Sequence, residues 1–387
     1  MRALAVAFAA LAMAVPAAGG RANVQGRVAF LYGGNLIVLD LATGTQRVVL
    51  KHAGSGPVHW SGDGKLVSAG GRIVGGPSLP TADLAWAQNG ETAAYKTKAG
   101  AVELWAPGRG SRTILPAAWG ATSFVWGPNG RLALGRSVCR VPCGVPRHQE
   151  VWIWDAGKLK LVAGPLRGVQ RPLIAGWTAE GRVLWWSDPQ DSASIAADGL
   201  FLYANRTRIA GTLVFPDYVV RCRSHLALAA GGDRYTTHGK RIVLDGRDVS
   251  HDPSRSWVSP ACSKNGSTLV AAAGRSWEES LIGREHRAIW RLRPTRTQLT
   301  HPPAGWTDEN PHVLRDGSVL FVRTHQTSRK RNGDWYATEL GQLKLLARGR
   351  LSDVADVSFT VNVLTPLGYD ANSYGHYGWP WRIAVAP

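Results

Sequence analysis

Apolar runs alternate with short polar turns along nearly the whole chain, and one pattern recurs. It comprises an apolar run, an anchor residue, a small or polar pair, Asp-Gly or Asn-Gly, and another apolar run, as in residues 58–67 and 124–134. Because Asp-Gly and Asn-Gly supply the positive φ angles of tight hairpins, each copy predicts two antiparallel strands. The anchors are Trp60, Trp86, Trp126, Trp177, Cys222, Cys262 and Val313.

A second pair of apolar runs follows most copies, for example residues 102–105 and 112–115, or 289–292 and 297–300. An inner and an outer hairpin together make one four-stranded sheet. The mean step between anchors is about 42 residues, which is the period of a propeller blade. The sequence therefore predicts an all-β fold, a β-propeller of four-stranded antiparallel blades.

The blade count is seven or eight. Seven anchors plus a closing blade give eight, but only 26 residues separate Trp60 from Trp86, so that blade is expected to be stunted. Residues 27–50 hold strands without an anchor copy before them. Their missing strand would come from residues 357–363 or 381–385, so that strands from both ends of the chain close the ring and leave no sheet edge exposed.

The Trp-x-x-Asp/Asn-Gly copies, such as residues 60–64, resemble the W-S-P-D-G signature of TolB-like propeller repeats. Residues 35–44 resemble the strand and D-x-x-T-G turn of the same family. The resemblance covers nearly all of the chain after residue 20, although the Ser-Pro pair is mostly lost and two anchors are Cys. It implies a scaffold or partner surface of an exported protein and leaves the specific function open.

The first twenty residues have the layout of a secretory signal peptide. A basic start, Met1-Arg2, precedes an apolar run over residues 3–15 and small residues over 16–20. We therefore expect a signal peptide at 1–20 and a single propeller domain at 21–387, in a secreted or cell-envelope (periplasmic or extracellular) protein. An uncleaved membrane anchor is the alternative. No later segment is apolar enough to predict a transmembrane span.

The four cysteines are even in number, and export favours disulfides over free thiols. Cys139 and Cys143 would close a tight loop, with a metal or redox pair as the alternative reading. Cys222 and Cys262 occupy the same repeat position in consecutive blades, so the repeat predicts that they bond to each other. This pairing requires their Cα atoms to lie within about 7 Å.

Candidate catalytic residues are few, because the nucleophile, zinc and nucleotide motifs are absent from the sequence. Glu278, Glu279, Glu285 and His286 lie between the two hairpins of one blade. Carboxylates beside an imidazole are the groups that acid–base chemistry uses, while a solvated loop with local ion pairs is the competing interpretation. Whether Asp308-Glu309 at the start of the next blade converge on this loop stays open. We predict no metal site and no cofactor.

Two segments are candidate binding surfaces. Arg329, Lys330 and Arg331 form the densest basic run, expected in a loop before Trp335. It is either a solvated hairpin tip or an anion-binding patch for a cell-surface polymer or phospholipid headgroups. The tail that contains Tyr374, Tyr377 and Trp379 has the aromatic and small polar composition of adaptable binding loops, and an ordinary irregular closing segment is the equal alternative. The formal charge of +18 is spread along the chain, and spread charge indicates anionic surfaces more than one specific partner. Nucleic acid is a poor fit for an exported propeller.

The sequence favours a non-enzymatic binding scaffold, expected to be a monomer, for a protein or an anionic cell-surface polymer. Two alternatives remain open. One is a hydrolase or lyase that acts on glycans or peptides at the mouth of the channel. The other is a module that binds polyanions through the distributed arginines.

Overall fold

The computed structural model describes residues 24–54, 56–81, 84–139, 146–167, 169–189, 200–212, 217–231, 240–275, 287–331, 334–362 and 382–387. The predicted signal peptide lies outside these ranges. Helical structure within them is limited to the short 3-10 turns Ala117–Trp119 and Pro128–Gly130. No helix in the described ranges has the length and apolar character needed to cross a membrane.

The described strands form eight antiparallel sheets, seven with four strands and one with three, arranged as the blades of a propeller. The strands of blades 1 to 4 are β1 (Arg27–Tyr32), β2 (Asn35–Asp40) and β3 (Gln46–Leu50); β4 (Val58–Trp60), β5 (Val67–Ala69) and β6 (Arg72–Ile73); β7 (Leu84–Trp86), β8 (Ala93–Lys96), β9 (Val102–Ala106) and β10 (Gly110–Leu115); and β11 (Ala121–Trp126), β12 (Leu132–Cys139), β13 (Pro146–Asp155) and β14 (Lys158–Leu166).

The strands of blades 5 to 8 are β15 (Val169–Trp177), β16 (Val183–Pro189), β17 (Leu200–Ala204) and β18 (Thr207–Thr212); β19 (Val219–Cys222), β20 (His225–Ala230), β21 (Arg241–Leu244) and β22 (Arg247–Asp248); β23 (Arg255–Cys262), β24 (Leu269–Arg275), β25 (Ala288–Arg293) and β26 (Thr297–Gln298); and β27 (Thr307–Val313), β28 (Val319–Arg331), β29 (Asp334–Ala347) and β30 (Arg350–Asn362). The last strand, β31 (Ile383–Val385), belongs to blade 1.

The ring is closed by strands from both ends of the described chain, as predicted. Strand β31 pairs antiparallel with β1, with Phe30 opposite Ile383 and Val28 opposite Val385. The other predicted closing segment, residues 357–363, is wrong as a closing strand, because residues up to Asn362 belong to β30 and pair with β29 at the outside of blade 8.

Blade 2 is the stunted blade that the short anchor step predicted. Its strands β4, β5 and β6 have three, three and two residues, and together they form the single three-stranded sheet among those described. The count of eight blades is therefore confirmed, and the alternative of seven is wrong.

The hydrophobic core is divided among the seams between consecutive blades. Leu36 of blade 1 packs in a buried cluster with Val67 of blade 2, and Phe30 of blade 1 packs in another with Leu320 of blade 8. One continuous cluster around the fully buried Trp257 joins blades 6, 7 and 8. Because a sheet that is buried on both faces needs an apolar neighbour on each side, this arrangement holds the ring together.

The tryptophan anchors connect each blade to the blade before it. Trp126 Nε1 donates a hydrogen bond to the Ala85 carbonyl oxygen at 3.0 Å, and Trp177 Nε1 donates to the Val125 carbonyl oxygen at 3.2 Å. In both pairs the acceptor belongs to the residue just before the previous anchor. A large side chain with one donor therefore fills the seam and satisfies a carbonyl group of the neighbouring inner strand.

The two cysteine anchors make the same connection covalently. Cys222 and Cys262 form a disulfide with a Cα–Cα distance of 5.7 Å, which confirms the predicted pairing. Cys262 Sγ lies 3.8 Å from the carbonyl oxygen of Arg221, the residue just before the previous anchor. The disulfide thus occupies the place that the indole holds in the tryptophan blades. The predicted pairing of Cys139 with Cys143 falls outside the described residues, because Cys143 and the side chain of Cys139 are not described.

In blades 2 to 8, the turns that join the innermost strand to the next strand lie on one face of the ring, which we call the turn face. These seven turns fall within the described ranges. Neighbouring turns pack closely: a Cβ atom at Gly127, in the turn of blade 4, would lie 2.2 Å from Cε2 of Trp177 in blade 5. Glycine is required there because the indole of the next anchor covers the backbone.

Candidate functional site

Most of the predicted site residues lie outside the described part of the chain. These are Glu278, Glu279, Glu285, His286, Tyr374, Tyr377 and Trp379. Their proposed roles stay predictions.

The basic run Arg329-Lys330-Arg331 has a described backbone, and it lies in strand β28 instead of the expected loop. Arg331 pairs with Asp334 across the two-residue connection to β29, and the ladder continues through Lys330 opposite Trp335. The turn is therefore shorter than predicted, because cross-strand pairing extends β28 and β29 to 13 and 14 residues. The run lies at the tip of a long hairpin.

Two buried ion pairs lie at the seam of blades 7 and 8. Arg287 Nη1 donates to Glu309 Oε1 at 2.9 Å, with the two side chains only 4% and 3% exposed. Arg323 donates through Nε and Nη2 to the two oxygens of Asp308, at 2.7 and 2.9 Å. Both carboxylates are thus engaged by guanidinium groups, so we interpret this cluster as a clamp between strands and blades.

Tyr218 and His312 belong to the same charged region. Burial raises the pKa of the Tyr218 hydroxyl well above its ordinary value, while Arg287 opposes the shift. Burial lowers the pKa of His312 to about 4, with a smaller opposing effect of the Asp217 carboxylate. At neutral pH the tyrosine is therefore protonated and the imidazole is neutral.

His312 is expected to make the protein acid-sensitive. Its folded pKa of about 4 lies below the ordinary value of 6.5, so the unfolded chain binds a proton that the folded chain does not. The contribution of the neutral His312 to the free energy of unfolding is then complete above pH 6.5. It is lost as the pH decreases toward 4, by at most about 1.4 kcal/mol per pH unit. We expect His312→Gln to flatten this part of the profile, measured by urea unfolding at several pH values.

The exposed His301 provides the control, and His301→Gln should leave the slope unchanged. If the free energy of unfolding depended on pH with the same slope in the wild type and in His312→Gln, His312 would not be a source of the acid sensitivity. Burial lowers the pKa of His59 to about 4 as well, so some acid sensitivity should remain in the variant.

A groove of about 550 Å³ opens on the turn face between blades 6, 7 and 8. It contains basic, hydroxyl and amide groups and a single carboxylate. The residues that line it are Arg223, Ser263, Lys264, Asn265, Ser267, Thr268, Arg315, Asp316 and Gly317.

The turn at the centre of the groove is held by its own hydrogen bonds. Ser263 Oγ donates to Asn265 Oδ1 at 2.6 Å and accepts from the Thr268 amide at 2.9 Å. The Ser267 amide donates to the same Asn265 oxygen at 3.0 Å. These bonds fix the turn, since each one closes a short loop of the backbone.

The same turn packs on the turn of blade 6. Gly266 has φ +73°, and a Cβ atom there would lie 3.2 Å from the Cys222 carbonyl oxygen. The Cys222–Cys262 disulfide joins these two hairpins beneath the groove. One wall of the groove is therefore attached covalently to the next.

A smaller depression of about 140 Å³ lies toward the centre of the ring. Trp126 and Trp177 contribute to its walls. Arg221 Nη2 donates to Gln88 Oε1 at 3.5 Å, which connects blade 6 with blade 3. Since these blades are not neighbours, the contact crosses the central region of the ring. It therefore narrows the central opening on the turn face.

The groove was not among the sequence-based candidates, although the repeat contained a signal for it. Two residues after the anchor, blades 7 and 8 carry Lys264 and Arg315. At that position blades 2 to 5 carry Gly62, Gln88, Pro128 and Ala179, which are all uncharged. Comparing the copies position by position would have shown that basic residues gather on consecutive turns.

No protein-family model matches the chain, and no curated protein matches it. Among solved structures it is similar to Pyrococcus horikoshii acylaminoacyl peptidase, with 9% identity and a TM-score of 0.43 over 83% of this chain and 48% of that one. It thus spans about half the length of the acylaminoacyl peptidases that it matches.

Two further solved structures are similar over longer shares of their own length. A eukaryotic initiation factor has 12% identity and a TM-score of 0.47, with 91% of this chain and 89% of that one covered. The β-propeller domain of the Trilobed protease from Pyrococcus furiosus has 12% identity and a TM-score of 0.36, with 71% and 97% covered. At this level of similarity no activity and no residue role is transferred to this chain.

Proposed function

We propose that this chain is an exported TolB-like propeller that acts as a non-enzymatic binding scaffold, and that its partner in the cell envelope docks on the turn face. The observation that carries the proposal is the groove between blades 6, 7 and 8, which is open to solvent and built on hairpins that a disulfide joins. A rigid surface loses little conformational entropy when a partner binds, so it favours binding.

Export is supported by the signal-like residues 1–20 and by the Cys222–Cys262 disulfide, which an oxidising compartment would maintain. The ion pairs at blades 7 and 8 bear on the enzyme alternative only through Asp308 and Glu309, because its other candidates lie outside the described residues. The carboxylates of Asp308 and Glu309 already accept hydrogen bonds from arginine, so neither is poised to accept a proton from a substrate.

A co-sedimentation experiment tests the proposal. The purified full-length protein is mixed with the envelope fraction of the cells that export it, beside the variants Ser267→Trp and Gln46→Trp. Ser267 lines the groove, whereas Gln46 is exposed on the outer strand β3 of blade 1. An indole at Ser267 should obstruct the groove and weaken saturable binding by about tenfold or more, while Gln46→Trp should bind like the wild type.

Absence of saturable binding by the wild type would contradict the scaffold function. Equal binding by all three proteins would contradict the placement of the partner in the groove. Circular dichroism and unfolding midpoints of the variants establish that any loss of binding is not a loss of folding.

A further inference from the structure

Three cationic side chains line the groove, one from each of three consecutive blades. Arg223 belongs to the turn of blade 6, Lys264 to that of blade 7 and Arg315 to that of blade 8. All three are exposed. They therefore form a row of positive charges that follows the circumference of the ring.

Counter-charge within the groove is limited to one carboxylate, that of Asp316. Its oxygens accept hydrogen bonds from the Ser318 amide at 3.0 Å and from the Ser318 hydroxyl at 2.9 Å, which fix the turn of blade 8. Among the described residues, no Asp or Glu side chain forms an ion pair with Arg223, Lys264 or Arg315. Arg315 donates one hydrogen bond to another described residue, from Nη2 to a main-chain oxygen of Pro387, the last residue, at 2.9 Å, and this leaves most of its donors for a ligand.

The backbone that carries the row is fixed. Arg223 has φ +57° in the two-residue turn between β19 and β20, and it directly follows the disulfide-bonded Cys222. Lys264 lies in the turn that the Ser263 and Asn265 hydrogen bonds hold. The positive charges are therefore pre-organised by their backbones, and an anionic ligand would have to order only the side chains.

We propose that the groove binds a linear polymer that carries repeated carboxylate or phosphate groups, an inference that rests on the binding function proposed above. Guanidinium groups bind both kinds of anion through paired hydrogen bonds, and the lysine adds a point charge. One cation per blade provides successive contacts along such a polymer. The hydroxyls of Ser267 and Thr268 and the amide of Asn265 line the same groove, and they add hydrogen-bonding groups for the neutral parts of the chain.

The test compares two triple variants that remove the same charge. The groove variant is Arg223→Asn, Lys264→Gln and Arg315→Gln, with Asn at position 223 because this residue tolerates a left-handed backbone. The control variant is Arg47→Gln, Lys158→Gln and Lys160→Gln, which changes three exposed cations on the outer strands β3 and β14. Binding to alginate (carboxylate), polyphosphate, neutral dextran and duplex DNA is measured by fluorescence anisotropy at several salt concentrations.

We expect the wild type to bind alginate or polyphosphate, and the polymer that binds more tightly identifies the kind of anion. The groove variant should lose about tenfold or more in affinity at low salt, and the slope of log affinity against log salt should decrease by about two to three. The control variant should retain the affinity and slope of the wild type.

Three results would overturn the inference: no binding of either polyanion, an equal loss in both triple variants, or tighter binding of duplex DNA than of both polymers. An equal loss would show that the net charge of +18 alone attracts polyanions. If Ser267→Trp abolishes envelope binding but the groove triple variant does not, the scaffold function stands and the polyanion inference fails. If the wild type does not bind the envelope at all, the scaffold function itself fails.

Discussion

Removal of the disulfide by Cys222→Ala and Cys262→Ala is expected to lower the free energy of unfolding by about 4 kcal/mol. The disulfide closes a span of 40 residues between the inner strands of blades 6 and 7. The cross-link restricts the unfolded chain more than the folded one, so its loss favours unfolding. The measurement is equilibrium unfolding in guanidinium chloride, with the oxidised wild type as the reference.

A reductant provides the internal control. In excess dithiothreitol, the wild type should approach the stability of the double variant measured in the same reductant, so that the predicted Cys139–Cys143 pair is reduced in both proteins. Stability of the double variant within about 1 kcal/mol of the oxidised wild type would contradict the prediction. Because the disulfide also underlies the groove, the reduced protein should bind its partner more weakly.

Glu309→Gln is expected to destabilise the fold by about 3–5 kcal/mol, because it replaces the carboxylate of a buried ion pair with a neutral amide. The hydrogen bond between Arg287 and Glu309 measures 2.9 Å. Glu309 also accepts a hydrogen bond from the Thr307 hydroxyl at 3.1 Å, so the substitution weakens two contacts. Urea unfolding at neutral pH measures the change.

A double-mutant cycle measures the interaction between Arg287 and Glu309 separately from the contacts that each residue makes with its surroundings. Arg287→Met combined with Glu309→Met removes both charges and should recover most of the loss that either single substitution causes. The matched surface control is Glu180→Gln, because Glu180 and Arg182 are 3.6 Å apart and both largely exposed. That variant should unfold at the wild-type midpoint. Additive losses in the cycle would show that the two buried residues act independently.

The repeat made much of the fold predictable from sequence. The anchor spacing encodes the blade count, since each blade needs one inner hairpin, and the short step after Trp60 corresponds to the three-stranded blade 2. The same register predicted the Cys222–Cys262 disulfide, because equivalent positions of consecutive blades meet at a seam. In a repeat architecture each repeat contacts its neighbours, so the position of a residue within its repeat also indicates which residues of the next repeat it meets.

The candidate site was less predictable, because it depends on which turns approach one another. Arg223, Lys264 and Arg315 are separated by 41 and 51 residues and none belongs to a dense basic run, so the sequence pattern favoured Arg329-Lys330-Arg331 instead. At one wall of the groove, Gly266 lets the turn of blade 7 pack closely on the turn of blade 6. Likewise, whether Asp308 and Glu309 act in chemistry or in packing depended on the arginines that meet them across a seam.

The most direct test of the account is photo-cross-linking in the living cells that export the protein. A photoreactive residue is placed at Ser267 in the groove, at Gln46 on the outer strand of blade 1, and at Ala118, which is exposed in the connection between blades 3 and 4 on the face opposite the turns. We expect a discrete adduct with one envelope component from position 267 and none from the other two. Adducts from position 118 without any from position 267 would contradict binding on the turn face.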